Sequence, residues 1–153
     1  MTAVEDGVPA IAVSTGGLEP PVPDRILSAM RPTDDFVVEL LDRLRAGAHG
    51  GRLLPEGLGL NVDHPVLGAD GSGTARGADL IPQDPLPALT SAYAYNGDGT
   101  WKVTVGMADR PARPGSDVVV AAGHVSVSPI TPGWNPTTGD QARAANLSAG
   151  LRP

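Results

Sequence analysis

The chain has 153 residues and no cysteine, so disulfides, thiolate catalysis and cysteine-ligated zinc are excluded. Aromatic residues make up only 3%. The core must be built from Val, Leu, Ile and Ala, and a stacking platform for single-stranded nucleic acid is not expected. Basic residues are also scarce. The 11 Lys and Arg, among which Lys102 is the one lysine, face 17 Asp and Glu, for a formal charge of -6. That balance argues against non-specific nucleic-acid binding, which needs cations to neutralise phosphates. No apolar run reaches membrane-spanning length. The stretch Met1 to Asp6 is acidic and poor in apolar residues, unlike a signal peptide. The expectation is a cytoplasmic protein with neither a nucleic-acid nor a membrane partner.

What is present fits one soluble domain over 1–153, with 41% hydrophobic and 18% charged residues. The 20 Gly and 16 Pro concentrate in the middle and tail, where long loops are expected. Thr2 to Asp6 followed by Gly7 reads as the last turn of a helix with its glycine stop. Val8 to Ser14 then reads as a strand apolar on both faces, the kind found in parallel sheets covered by helices. The chain thus reads as beginning partway through a strand-helix-strand unit. A short free terminus before an ordinary first strand is the alternative.

Gly16 to Pro23 is turn-rich. Pro32-Thr-Asp-Asp35 predicts a helix start, with Thr33 or Asp34 as cap and Phe36, Val37, Leu40, Leu41 and Leu44 as the apolar stripe. Gly47 predicts its stop, and a glycine-rich loop to Pro55 follows. Leu58 to Val62 predicts a second buried strand, ended by Asp63-His64-Pro65. Val66 to Pro87 is expected to be irregular. Ala92 to Tyr95 and Thr100 to Val105 alternate around Asn96-Gly-Asp-Gly99, which predicts a hairpin over about 89–106. The closing segment, 116–132, has the strongest internal grammar: valines and alanines, Gly123, then Val125 and Val127 alternating with Ser126 and Ser128. By β-branched content Ser116 to Ala122 reads as a strand. Ala142 to Ala149 predicts a weak terminal helix.

Each candidate for chemistry has a plainer explanation. Asp34-Asp35 is the one pair of adjacent aspartates and could hold a hard cation on a loop, yet at a helix start capping and the dipole account for it. His49, His64 and His124 have no partner at a recognised metal spacing, apart from Asp63 beside His64. Neighbours on a strand point to opposite faces, so that pair does not chelate readily. Gly71-Ser-Gly73 lacks the strand-before, helix-after context of a phosphate cradle. Asn146-Leu-Ser is formally a glycosylation triplet, uninformative without a secretory signal. No Gly-x-Ser-x-Gly elbow exists. No catalytic or metal residue is assigned, and substrate-binding residues stay open.

Three stretches occur together in order: Gly7-Val-Pro-Ala-Ile-Ala-Val-Ser14, Gly59-Leu-Asn-Val62, and Gly115-Ser-Asp-Val118 with Gly123-His-Val-Ser-Val-Ser-Pro-Ile130. In order and spacing they resemble the C-terminal half of the SurE-like survival proteins, metal-dependent 5'-nucleotidases that hydrolyse nucleoside monophosphates. The resemblance covers most of the chain and is loose from Val66 to Pro114. It implies an α/β fold: a partial Rossmann-like, SurE-type sheet, its C-terminal part, with a projecting hairpin used between subunits. Tyr93, Tyr95, Trp101, Val103 and Val105 then become candidate subunit contacts. The resemblance also implies that Ser116 to Ala122 is a short helix, capped by Ser116 and ended by Gly123. The divalent cation it implies, Mg or Mn, has no ligands here. The family's Asp-Asp-Gly, serine and asparagine loop lie before the stretch matching Gly7, and Asp34-Asp35 is followed by Phe36.

Two readings follow. One is a SurE-like phosphatase chain lacking its metal site, with the N-terminal half as its partner. The other is a catalytically inactive remnant or oligomerisation module that self-associates through the hairpin. Either way, the chain alone is expected to be marginal, aggregating or partner-dependent.

Overall fold

The computed structural model describes residues 2–16, 23–48, 51–68, 70–82, 89–107, 115–133 and 136–151. The loop expected over Gly16 to Pro23 and His49 fall largely or wholly outside them. The architecture is α/β. Four strands form one mixed sheet: β1 (Ala10–Thr15), β2 (Gly59–His64), β3 (Ala78–Leu80) and β6 (Val125–Ile130). Their spatial order is β1-β2-β6-β3. β4 (Leu89–Tyr95) and β5 (Trp101–Met107) make a separate antiparallel hairpin.

The chain enters through a four-residue helix, α1 (Thr2–Glu5). The N–H groups of Gly7 and Val8 close it on the carbonyls of Val4 and Ala3. β1 then pairs in parallel with β2, Ile11 opposite Leu60 and Val13 opposite Val62. Parallel neighbours need a crossover, and helix α2 (Pro23–Ala48) lies between them in the chain. This is a strand-helix-strand unit of the kind that parallel sheets are built from. β2 runs on to His64, two residues beyond the expected end at Val62.

α2 corrects the expected helix start. Pro32 lies inside it, and the helix begins nine residues earlier at Pro23, where a proline suits the first turn. The buried stripe shows why. Ala29, Thr33, Phe36, Leu40 and Leu44, spaced by three or four, are each no more than 4% exposed. Burial of one continuous face outweighs the break that a proline makes in the hydrogen-bond ladder. Thr33 is therefore not a cap: its hydroxyl shares a 2.9 Å hydrogen bond with that of Thr15 at the end of β1. Val37 is half-buried and Leu41 is exposed, so the stripe is narrower than the sequence implied.

β6 is one of the sheet's two interior strands and is buried at all six positions. It runs antiparallel to β2 and parallel to β3. β3 was not expected, because its three residues, Ala-Asp-Leu, carry no strand pattern of their own. Leu60, Val62, Val125 and Val127 face Phe36, Leu40, Leu44 and Ala144 in the core. Ala144 belongs to α4 (Thr138–Ser148), which starts four residues before the expected Ala142. Thr137 and Asp140 form a reciprocal capping box there, a start signal that outranks the weak apolar periodicity.

The segment Ser116–Ala121 is a helix, α3, as the resemblance implied and its β-branched content did not. Its cap is Gly115, not Ser116, and no side-chain hydrogen bond closes the start. Gly123 ends it at φ 85°, a left-handed conformation that a side chain would strain. The N–H groups of Gly123 and His124 return to the carbonyls of Val120 and Val119. The hairpin spans the expected residues, with Tyr95 opposite Trp101 and Tyr93 opposite Val103. No helix among the described residues is long and apolar enough to cross a membrane.

Candidate functional site

A cavity of about 670 Å³ opens at the carboxyl end of β2, between α2 and the loop 66–77. Open α/β sheets place ligands beyond the carboxyl ends of their strands. α2 supplies two rows at one-turn spacing: Leu27, Arg31, Asp35 and Glu39, then Ser28, Pro32 and Phe36. His64, Ser72, Thr74 and Ala75 form the facing wall. The loop is held in shape locally. Gly73 N–H donates to the Leu67 carbonyl at 2.8 Å. The Ser72 N–H and hydroxyl both donate to the Asp70 carboxylate. The Ser28 hydroxyl donates to the Asp70 carbonyl and so ties α2 to the loop.

His64 is the most constrained polar group of the cavity. It is 2% exposed. Its Nδ1 lies 2.9 Å from the Pro65 carbonyl, which can only accept, so Nδ1 carries the proton and Nε2 the lone pair. The Phe36 ring lies 6.2 Å from the imidazole, tilted by 59°. Burial lowers the His64 pKa, and the hydrogen bond to Pro65 only partly opposes that. The unfolded chain therefore binds the extra proton first as pH falls below about 6.5. Stability from this group is full above that pH and is lost as pH drops toward the lowered pKa. Urea midpoints should decline as pH falls below about 6.5 and decline less for His64→Gln. Equal declines in both proteins would refute this role.

Of the adjacent aspartates, Asp35 lines the cavity and Asp34 does not. Successive helical residues diverge by about 100°, so the two carboxylates do not converge. This replaces the capping explanation, since both stand inside α2. Glu39 is engaged by Arg43 at 2.9 Å, one turn along the helix. Sequence reasoning missed Arg31, Glu39 and Thr74. The one-turn spacing of Arg31, Asp35 and Glu39 was legible, but taking Pro32 as a helix boundary detached Arg31 from the row.

The other sheet face carries a separate polar group. Asp63 accepts from the Ser14 hydroxyl with one oxygen and from Asn61 Nδ2 at 2.9 Å with the other. Ser126 and Ser128, buried opposite Asp63 and Asn61, share a 3.4 Å contact. Asp63 and His64 thus point to opposite faces, as strand alternation requires. His124 Nδ1 stands 3.0 Å from Asp79 Oδ2, but the approach is misaligned and that buried nitrogen makes no hydrogen bond. The contact is one of charge alone, available when the ring is protonated. Gly71-Ser-Gly73 lies in a loop leading to β3, not to a helix. Asn146 is exposed on α4. Among the described residues no three His, Asp or Glu side chains are grouped to hold a metal ion.

The hairpin is a third feature. Tyr93, Tyr95, Trp101, Val103 and Val105 share one of its faces, and each is more than half exposed. Tyr95 and Trp101 pack against each other with ring centroids 5.2 Å apart.

No protein-family description matches the sequence, and no curated protein does either. Among solved structures, the chain is similar to the SurE protein of Aquifex aeolicus at a TM-score of 0.49 and 21% identity. The match covers 87% of this chain and 48% of that one, so the chain spans about half the length of that protein.

Proposed function

We propose that this chain is the C-terminal part of a SurE-like, metal-dependent phosphatase acting on nucleoside monophosphates. The observation that carries the reading is spatial. The three stretches that resemble the family are far apart in sequence but lead into or lie on β1, β2 and β6, three consecutive neighbours in the sheet, with the Gly115 to Val118 part of the third on α3. The state of β1 supports it further. This strand is an edge of the described sheet, and Val13 stays 43% exposed although its neighbour Val62 is fully buried. Val8, two residues before the strand begins, is 54% exposed. An unguarded parallel edge with bare valines is what a further strand and helix would cover.

The divalent cation of this reading, Mg or Mn, would be held by residues other than those described, and no catalytic step is assigned to this chain. The test is complementation. The chain alone should not hydrolyse a nucleoside monophosphate with either cation. Mixing or fusion with a polypeptide carrying Asp-Asp-Gly after an apolar strand should restore activity. Chelator-sensitive activity from the chain alone, or none from the combined polypeptides, would overturn the reading.

One observation favours the second reading, an assembly module without catalysis. The exposed aromatic face of the hairpin suits self-association through Tyr93, Tyr95, Trp101, Val103 and Val105. Trp101→Ser should then lower the oligomeric mass measured by light scattering and leave the far-UV circular dichroism unchanged. An unchanged mass would remove the hairpin from the interface.

A further inference from the structure

The cavity beside α2 has a lining with a definite chemical character. We propose that it binds a neutral, hydroxyl-rich ring, with His64 Nε2 as the fixed acceptor at its inner end. The volume of about 670 Å³ suits a small organic molecule. Two opposite charges one helical turn apart, Arg31 and Asp35, meet at the cavity, and the second lining carboxylate, Glu39, is offset by Arg43 at 2.9 Å. An anion placed there would face Asp35, and a cation would face Arg31, so the balance favours a ligand without net charge. The hydrogen-bonding groups are of both kinds, with the Arg31 guanidinium as donor and His64 and Asp35 as acceptors. His64 Nε2 has its lone pair because Nδ1 is committed to Pro65. The Asp35 carboxylate accepts only, and the Ser72 hydroxyl already gives its proton to Asp70. Ring hydroxyls can do both, accepting from Arg31 and donating to Nε2 and to the two oxygens of the Asp35 carboxylate. Pro32 and Phe36 add an apolar wall for the C–H face of such a ring. Burial keeps the imidazole neutral, which preserves its accepting role at neutral pH.

The experiment titrates the full chain, with any polypeptide it co-purifies with, against glucose, galactose, mannose and xylose. Inorganic phosphate and putrescine serve as charged controls, and imidazole nitrogen resonances report on the site. At least one sugar should saturate with a dissociation constant on the order of 1 mM, the reach of a dozen-atom ligand. It should move the His64 Nε2 resonance more than Nδ1. Asp35→Asn, an exposed change that leaves the core intact, should weaken that sugar about tenfold. The proposal is overturned if none of the sugars saturates, or if phosphate or putrescine binds the cavity more tightly than any of them. Binding that leaves His64 unmoved and ignores Asp35→Asn also overturns it. No phosphomonoester enters these readouts, so they stand or fall independently of the phosphatase reading.

Discussion

Replacing Leu40 by Ala should destabilise the protein by about 2–5 kcal/mol, the cost of emptying a fully packed aliphatic site. Leu40 is 0% exposed and lies midway along the buried stripe of α2, within the cluster that joins that helix to β2 and β6. A domain of this size holds roughly 5–15 kcal/mol in total, so the variant approaches the unfolding threshold. Among the described residues Phe36 is the one Phe, Tyr or Trp of the core, which is otherwise aliphatic. Leu40→Met keeps the volume and should cost less than about 1.5 kcal/mol. Denaturant midpoints for both variants measure the difference. Comparable losses would mean that the site is not tightly packed.

Gly71→Ala should cost about 2–5 kcal/mol, from two independent penalties. Gly71 has φ 81°, where a side chain is strained. A Cβ there would also stand 2.7 Å from the Cβ and 3.1 Å from the Cα of Ala29, a buried residue of α2. The loop and helix would have to separate, and they are the two walls of the cavity. Gly97 in the hairpin turn separates the two effects. It has φ 84°, yet nothing lies within 4 Å of a Cβ built on it. Gly97→Ala should therefore carry the backbone penalty alone, about 1–2 kcal/mol. If the two substitutions cost the same, the close approach of the loop to α2 contributes nothing. Ala29→Gly combined with Gly71→Ala should recover part of the loss, because it removes the atom that the new methyl meets.

Much of the fold was legible because its signals are local. The turn Asn96-Gly-Asp-Gly99 and the alternation beside it specify the hairpin without help from the rest of the chain. The apolar runs of β1 and β6 were legible as strands from composition. Errors came where a local signal lost to packing. Pro32 is a helix breaker by itself, yet the stripe from Ala29 to Leu44 carries the helix through it. β3 is a strand only because the fully buried β6 offers it a free edge. Ser116 to Ala121 favours a strand by its valines, and the turn at Gly123 with packing against β6 makes it helical.

The cavity was the least legible feature, for the same reason. His64, Asp35 and Thr74 lie on a strand, a helix and a loop, and no spacing rule in one dimension relates them. The sequence by itself excluded thiol chemistry, set an aliphatic core, placed the hairpin and identified three stretches with a family likeness. Those conclusions depend on composition and on neighbours within a few residues. Only the tertiary structure decided that the strands within the three stretches are neighbours, that β1 leaves Val13 exposed, and that His64 is buried with its tautomer fixed by Pro65. Each of these depends on which distant residues exclude water from a given atom, and the order of residues along the chain does not determine that one element at a time.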